Sequence, residues 1–288
     1  MIQIEAKRRK ARVNASLSVL SGGCRTPLSL TMGTIIDHYK SLGKKMDLDE
    51  LKTGISKQRL DTYRKMTKTT KWSDAVDVYF WHAEVCSSLL QPLGFFEVNL
   101  RNFLNLAISS RYREVRGRHM DWPEEWFFMH QNWLWLADIH MKKLSSVIYD
   151  VKNLPGQKAG FHPKEFHIVP RMKFQFWEDL LDETYVDRIW IHSYSIAFPN
   201  AELSADSAQD QELRRMFFKL KSACQLIRET RNRVAHHEPI FKFDIESVLE
   251  KIEMMLALMS KEAWSRVCVM NKIVLEKWKS PPACFKGI

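Results

Sequence analysis

At 288 residues and 45% hydrophobic, the chain has apolar material for one large domain or two small ones, and ten Trp and sixteen Phe against ten Gly and ten Pro argue for long helices and against widespread disorder or a strand-and-turn protein. The net charge of +10 points to a polyanionic partner, but residues 1–45 hold nine of the basic groups and only two acids, so the rest of the chain is near balance. Five widely spaced cysteines with no CxxC pair read as reduced thiols in a cytoplasmic protein, and no apolar run approaches the roughly 18 to 20 residues of a membrane span.

Residues 1–31 lack sustained periodicity and are rich in Ser, Gly and basic groups, which predicts a flexible basic N-terminal arm. "KRRKARVNASLSVLSGGC" has the outline of a signal peptide, but Asn14, Ser16 and Ser18 break its apolar part. The arm is read either as a solvated tail or as a surface for RNA or anionic lipid, and Met32 is an alternative start. Residues 32–288 are read as a single all-helical domain.

In "DLDELKTGISKQRLDTYRKM" acids lead and bases follow, which predicts two short helices broken at Gly54. Ser73 and Asp74 then open a helix through "AVDVYFWHAEVCSSLL", and Pro92 and Gly94 predict a kink or short interruption. Beyond it, Phe96, Leu100, Phe103 and Ala107 form a core stripe. A second stripe beside it holds Glu97, Arg101, Leu104 and Ile108, with the acid and the base as helical neighbours.

"DWPEEWFFMHQNWLWLADIHMKKLSSVIYDVKN" reads as aromatic-rich helix closed by "LPGQ". Residues 160–205 are the least regular, although "KFQFWEDLL" must pack on the bundle. "QELRRMFFKLKSACQLIRETRNRVAHH" is one long helix, followed by another through "IESVLEKIEMMLALMSKEAW". There is no Gly-rich phosphate loop and no HExxH spacing.

Leu213, Phe217, Leu220, Cys224 and Ile227 recur at spacings of four, three, four and three, and the next member of that stripe is Arg231. A guanidinium on the extension of a buried face must be paired or must face a polar cavity. Pro239 predicts a helix end near His236 or His237. An imidazole there lies between the negative end of the helix dipole and Arg228, Arg231 and Arg233, and histidine is the side chain suited to moving a proton near neutral pH. Asn232 and His236 share a face, whereas Arg231 and His236 diverge by about 140° on an ideal helix. The same residues also suit plain helix capping.

"RNRVAHHEPIF" resembles the closing motif of the Abi-like abortive-infection proteins, a branch of the HEPN superfamily, in which an Arg, often followed by Asn, precedes a His by four to six intervening residues. "KQRLDTYRKM", "FWHAEVCSSLLQPLGFFEVNLRNFLNLAI" and "KFQFWEDLL" are similar to the family's successive blocks, so the resemblance spans roughly residues 45–245. Gln175 departs from the small residue usual in the last block, and the arm has no counterpart. The resemblance implies an all-α, HEPN-like helical bundle with additional helices, and metal-independent RNA cleavage across a homodimer; no cofactor and no membrane are expected. It implies that His236 transfers the proton, Arg231 stabilises the phosphate and Asn232 orients the pair, with Glu97, Arg101 and Asn102 as support. Arg228, Arg233 and His237 are candidates for substrate binding. The expected function is an endoribonuclease of phage defence or a toxin; the alternative is a non-catalytic RNA-binding or regulatory module.

Overall fold

The computed structural model describes residues 48–117, 123–128, 136–158, 160–203 and 209–287. The chain divides into two units after Asp47. The expected arm and the segment from 32 to 47 lie outside the described residues.

The described residues are all-α, with no strand and a single isolated bridge between Thr67 and Phe285. Helices α1 (Leu48–Ile55) and α2 (Lys57–Arg64) precede the long α3 (Trp72–Arg116). A 3-10 turn (Trp126–Phe128) and α4 (Asp138–Lys152) follow, then the short α5 (Glu165–Ile168) and α6 (Phe174–Asp179). A π turn at Val186–Trp190 leads into α7 (Ile191–Ala197), and α8 (Gln209–Ala235), α9 (Ile245–Met259) and α10 (Lys261–Trp278) complete the bundle.

Three local expectations are corrected. The break between α1 and α2 falls at Ser56, not Gly54: Ser56 takes a φ of 76° and its Oγ accepts from the Arg59 amide, so it caps α2. Pro92 does not interrupt α3, which runs unbroken for 45 residues. Pro92 is itself buried, and Leu89, Leu93 and Phe96 around it are fully buried, so core packing holds the helix across the missing N–H. The final helical stretch is two helices, because Ser260 is extended and its Oγ caps α10 at the Ala263 amide.

α3 is the spine, with α2, α7, α8, α9 and α10 packed against it. Both of its expected stripes face inward: Phe96, Leu100, Leu104, Ala107 and Ile108 are fully buried. The "KFQFWEDLL" segment buries Phe174, Phe176 and Trp177 as α6, against α3 and α8. Trp126 donates through Nε1 to the buried Asn105 Oδ1 at 3.0 Å, tying the 3-10 turn to the spine. No helix among the described residues is long and apolar enough to cross a membrane.

Candidate active site

α8 carries its apolar stripe from Leu213 through Phe217, Leu220, Cys224 and Ile227, all at most 1% exposed. The stripe reaches the surface at Arg231, whose side chain is 38% exposed. Its Nε donates to Glu97 Oε2 on α3 at 3.1 Å, and Nη1 lies 3.4 Å from Asn232 Oδ1. Glu97 is the more enclosed partner, at 18% exposure. The guanidinium is therefore held through Nε by Glu97 and through Nη1 by Asn232, with over a third of the side chain still exposed. Such a half-exposed pair adds about 1 kcal/mol or less to stability; its larger effect is to orient the side chain.

The helix ends in a turn that satisfies its last carbonyls. The His236 amide still donates to Asn232 O at 3.0 Å, so helical geometry persists through that residue. His237 follows in the left-handed region with φ 55°, and its amide bonds Val234 O while that of Glu238 bonds Arg233 O at 2.8 Å. This is a Schellman closure with histidine where glycine is usual. Because the helix is regular up to His236, the roughly 140° between Arg231 and His236 is retained, and no hydrogen bond joins their side chains among the described residues.

Two residues that sequence reasoning passed over hold this turn. Arg59 of α2 donates through Nη1 to the His237 carbonyl at 3.0 Å. His82 of α3, 2% exposed, accepts the Ile240 amide on Nε2 at 3.2 Å. Nδ1 then carries the ring proton and donates to Tyr63 Oη at 3.1 Å. The ring is neutral: burial lowers the His82 pKa to about 4, and Cys86 Sγ, 3.4 Å from Nε2, is a protonated thiol whose pKa burial raises to about 12. Phe241, next along the chain, packs its ring against His82, Tyr63 and Trp81.

The remaining candidates take varied places. Arg228 points inward and is ion-paired with Glu178 of α6, whose carboxyl burial raises while the guanidinium opposes that shift. Arg233 pairs with Glu238 at 3.0 Å and lies over the Phe243 ring. Asn102 is exposed, and Arg101, rather than pairing with Glu97, has its Nε buried without a hydrogen-bond partner. His236 and His237 are exposed. The structure thus brings Arg231, Asn232 and Glu97 into contact and leaves His236 one turn beyond them with an open imidazole. No group of three His, Cys, Asp or Glu residues spaced to hold a metal occurs among the described residues.

Compared with known proteins, the chain matches no family model, no curated protein and no solved structure.

Proposed function

We propose that the protein is a metal-independent endoribonuclease of the HEPN type, acting in the cytoplasm in phage defence or as a toxin. The observation that carries this reading is Arg231 at the mouth of a buried stripe, anchored through Nε by Glu97 and through Nη1 by Asn232 yet still part-exposed, with an exposed imidazole one turn on at a tightly closed helix end. Those groups match what strand cleavage by RNA itself requires. The ribose 2′-oxygen attacks phosphorus, the bond to the 5′-oxygen breaks, and one proton leaves the 2′-hydroxyl while another reaches the departing oxygen. His236 moves the proton. Arg231 neutralises charge building on the non-bridging oxygens.

Two chains are needed to set both groups on one phosphate, given their angular separation on a regular helix. The outer face of α3 supports such pairing: every exposed residue between Ala83 and Leu106 is uncharged, including Leu90, Gly94, Val98 and Asn102. Glu97 and Arg101 flank that face, so two α3 helices packed about a two-fold axis would carry two copies of the Glu97–Arg231 pair to one seam.

The test is cleavage of a defined single-stranded RNA by the purified chain in excess EDTA, with product ends identified. A 2′,3′-cyclic phosphate and a 5′-hydroxyl are expected, and a 2′-deoxyribose at the scissile position should abolish cutting. A 3′-hydroxyl product with strict magnesium dependence would overturn the mechanism. RNA bound but left intact, with affinity lost in Arg231→Ala and kept in His236→Ala, would replace the nuclease by a non-catalytic binding module. Light scattering that finds a fully active monomer would remove the two-chain site.

A further inference from the structure

Phe218 is the most conspicuous exposed side chain on α8: its ring is 69% exposed, although phenylalanine is ordinarily a core residue. It stands eighteen residues before His236 on one regular helix. At 3.6 residues per turn that is five full turns, so Phe218 lies on the same face as His236, about 27 Å along the axis.

Arg215 and Lys219 flank Phe218, both exposed and neither in an ion pair among the described residues. By contrast Arg214 and Lys221 of the same helix are paired, with Asp187 and Asp182. Arg215 and Lys219 also border an open cavity of about 410 Å³ between α8, α9 and the chain around Leu203. Its floor is Leu203, Met216, Leu220 and Leu258, and the exposed Met254 lies at its rim together with the carboxylates Glu202 and Glu212. Cations with an exposed ring are the elements by which proteins hold single strands: phosphates meet the cations and bases lie on the aromatic face. Thioether sulfurs make favourable contacts with aromatic rings, and the cavity is large enough for a base. Glu202 can accept from the edge amines of a base.

We infer that this part of α8 is an anchor for single-stranded RNA: one base stacks on Phe218, a neighbouring base enters the cavity, and the phosphates between them rest on Arg215 and Lys219. The inference deepens the reading of the protein as an RNA-cleaving enzyme and rests on it. The anchor would hold the strand on the face of α8 that His236 shares, several nucleotides from the cleaved bond.

The experiment uses a fluorescein-labelled, fully 2′-O-methylated 16-nucleotide RNA, which cannot be cut through its 2′-oxygen, with binding to the full chain followed by anisotropy over a salt series. Phe218→Ala is expected to weaken binding about tenfold or more, and Phe218→Trp to preserve it. The double variant Arg215→Ala/Lys219→Ala should reduce the slope of log affinity against log salt by about 1.4, at about 0.7 for each phosphate that the variant no longer neutralises. Met254→Trp, which fills the cavity from its rim, should also weaken binding. All the substituted positions are exposed, so thermal melting of each variant should stay close to that of the parent. Unchanged affinity in Phe218→Ala and in the double variant overturns the anchor while leaving the nuclease reading in place. Failure of the unmodified chain to bind overturns both. An anchor that behaves as stated, on a protein that never cuts an unmodified RNA, stands while the nuclease falls.

Discussion

His82 and His236 serve the same helix end from opposite kinds of surroundings. The ring of His82 is buried, has both nitrogens hydrogen-bonded and is held neutral, whereas the His236 ring is exposed and has no side-chain bond among the described residues. The arginines divide in the same way. Arg228 meets a carboxylate that is almost wholly buried, while Arg231, one turn on, meets the more exposed Glu97 and is itself the more exposed arginine. Side-chain type therefore does not separate the inner residues from the outer ones; exposure does, since each arginine has two of its nitrogens hydrogen-bonded. Under the proposed reading the inner members hold the helix end and its neighbours in place, and the outer members are the ones that meet a ligand.

The comparison breaks most visibly if an outer residue proves structural. His236→Ala is expected to lower the cleavage rate by about 10²- to 10⁴-fold, the usual range for loss of a general acid or base, with a melting temperature close to that of the parent. A large fall in stability would place His236 among the inner group.

The inner histidine should show its role as a pH dependence of stability. Its folded pKa of about 4 lies below the ordinary 6.5, so the unfolded chain takes up a proton that the folded chain refuses. Stability from this group is thus complete above about pH 6.5 and falls as the pH drops toward 4, by about 3 kcal/mol in all. Urea titrations from pH 7 to pH 4 measure it, and His82→Gln, which keeps an acceptor for the Ile240 amide but does not titrate, should flatten that part of the curve. An unchanged slope would show that His82 is not the group responsible.

Glu178→Ala strands the Arg228 guanidinium and should cost about 3 kcal/mol in denaturant unfolding. At the surface, Glu97→Gln is expected to lower cleavage about tenfold through misorientation of Arg231, while shifting stability by about 1 kcal/mol or less. The reverse balance, stability lost and rate kept, would make the two ion pairs equivalent and end the distinction between inner and outer groups. The smallest effect belongs to His237→Gly. Relief of its left-handed backbone should be offset in part by greater freedom of the unfolded chain, giving a stabilisation of about 0.5 kcal/mol, read as a small rise in the melting temperature.

Much of this was legible in local pattern. The stripe of α8 and the anomaly of Arg231 at its end follow from spacings of three and four residues, and both core stripes of α3 were readable in the same way. What escaped is what depends on distant chain. The partner that Arg231 takes is Glu97, 134 positions earlier, whereas spacing alone paired Glu97 with Arg101. His82 and Arg59 lie in ordinary helical sequence with nothing nearby to reveal that they grip a turn more than 150 residues away. Pro92 misled because a proline's local cost was weighed without the packing that absorbs it. Ser56 could have been found, since serine ahead of a helix is the commonest of caps.

α8 is unbroken from Gln209 to Ala235, which restricts how its length can change over evolutionary time. A single residue inserted between Phe218 and His236 would turn one against the other by about 100° and lengthen their separation by about 1.5 Å. Seven inserted residues would bring the two faces back to within about 20° at a separation about 10 Å greater. If Phe218 and His236 act on one strand as proposed, descendants of this chain that keep the anchor should therefore differ along that stretch by gaps of seven, eleven or eighteen residues, or by none.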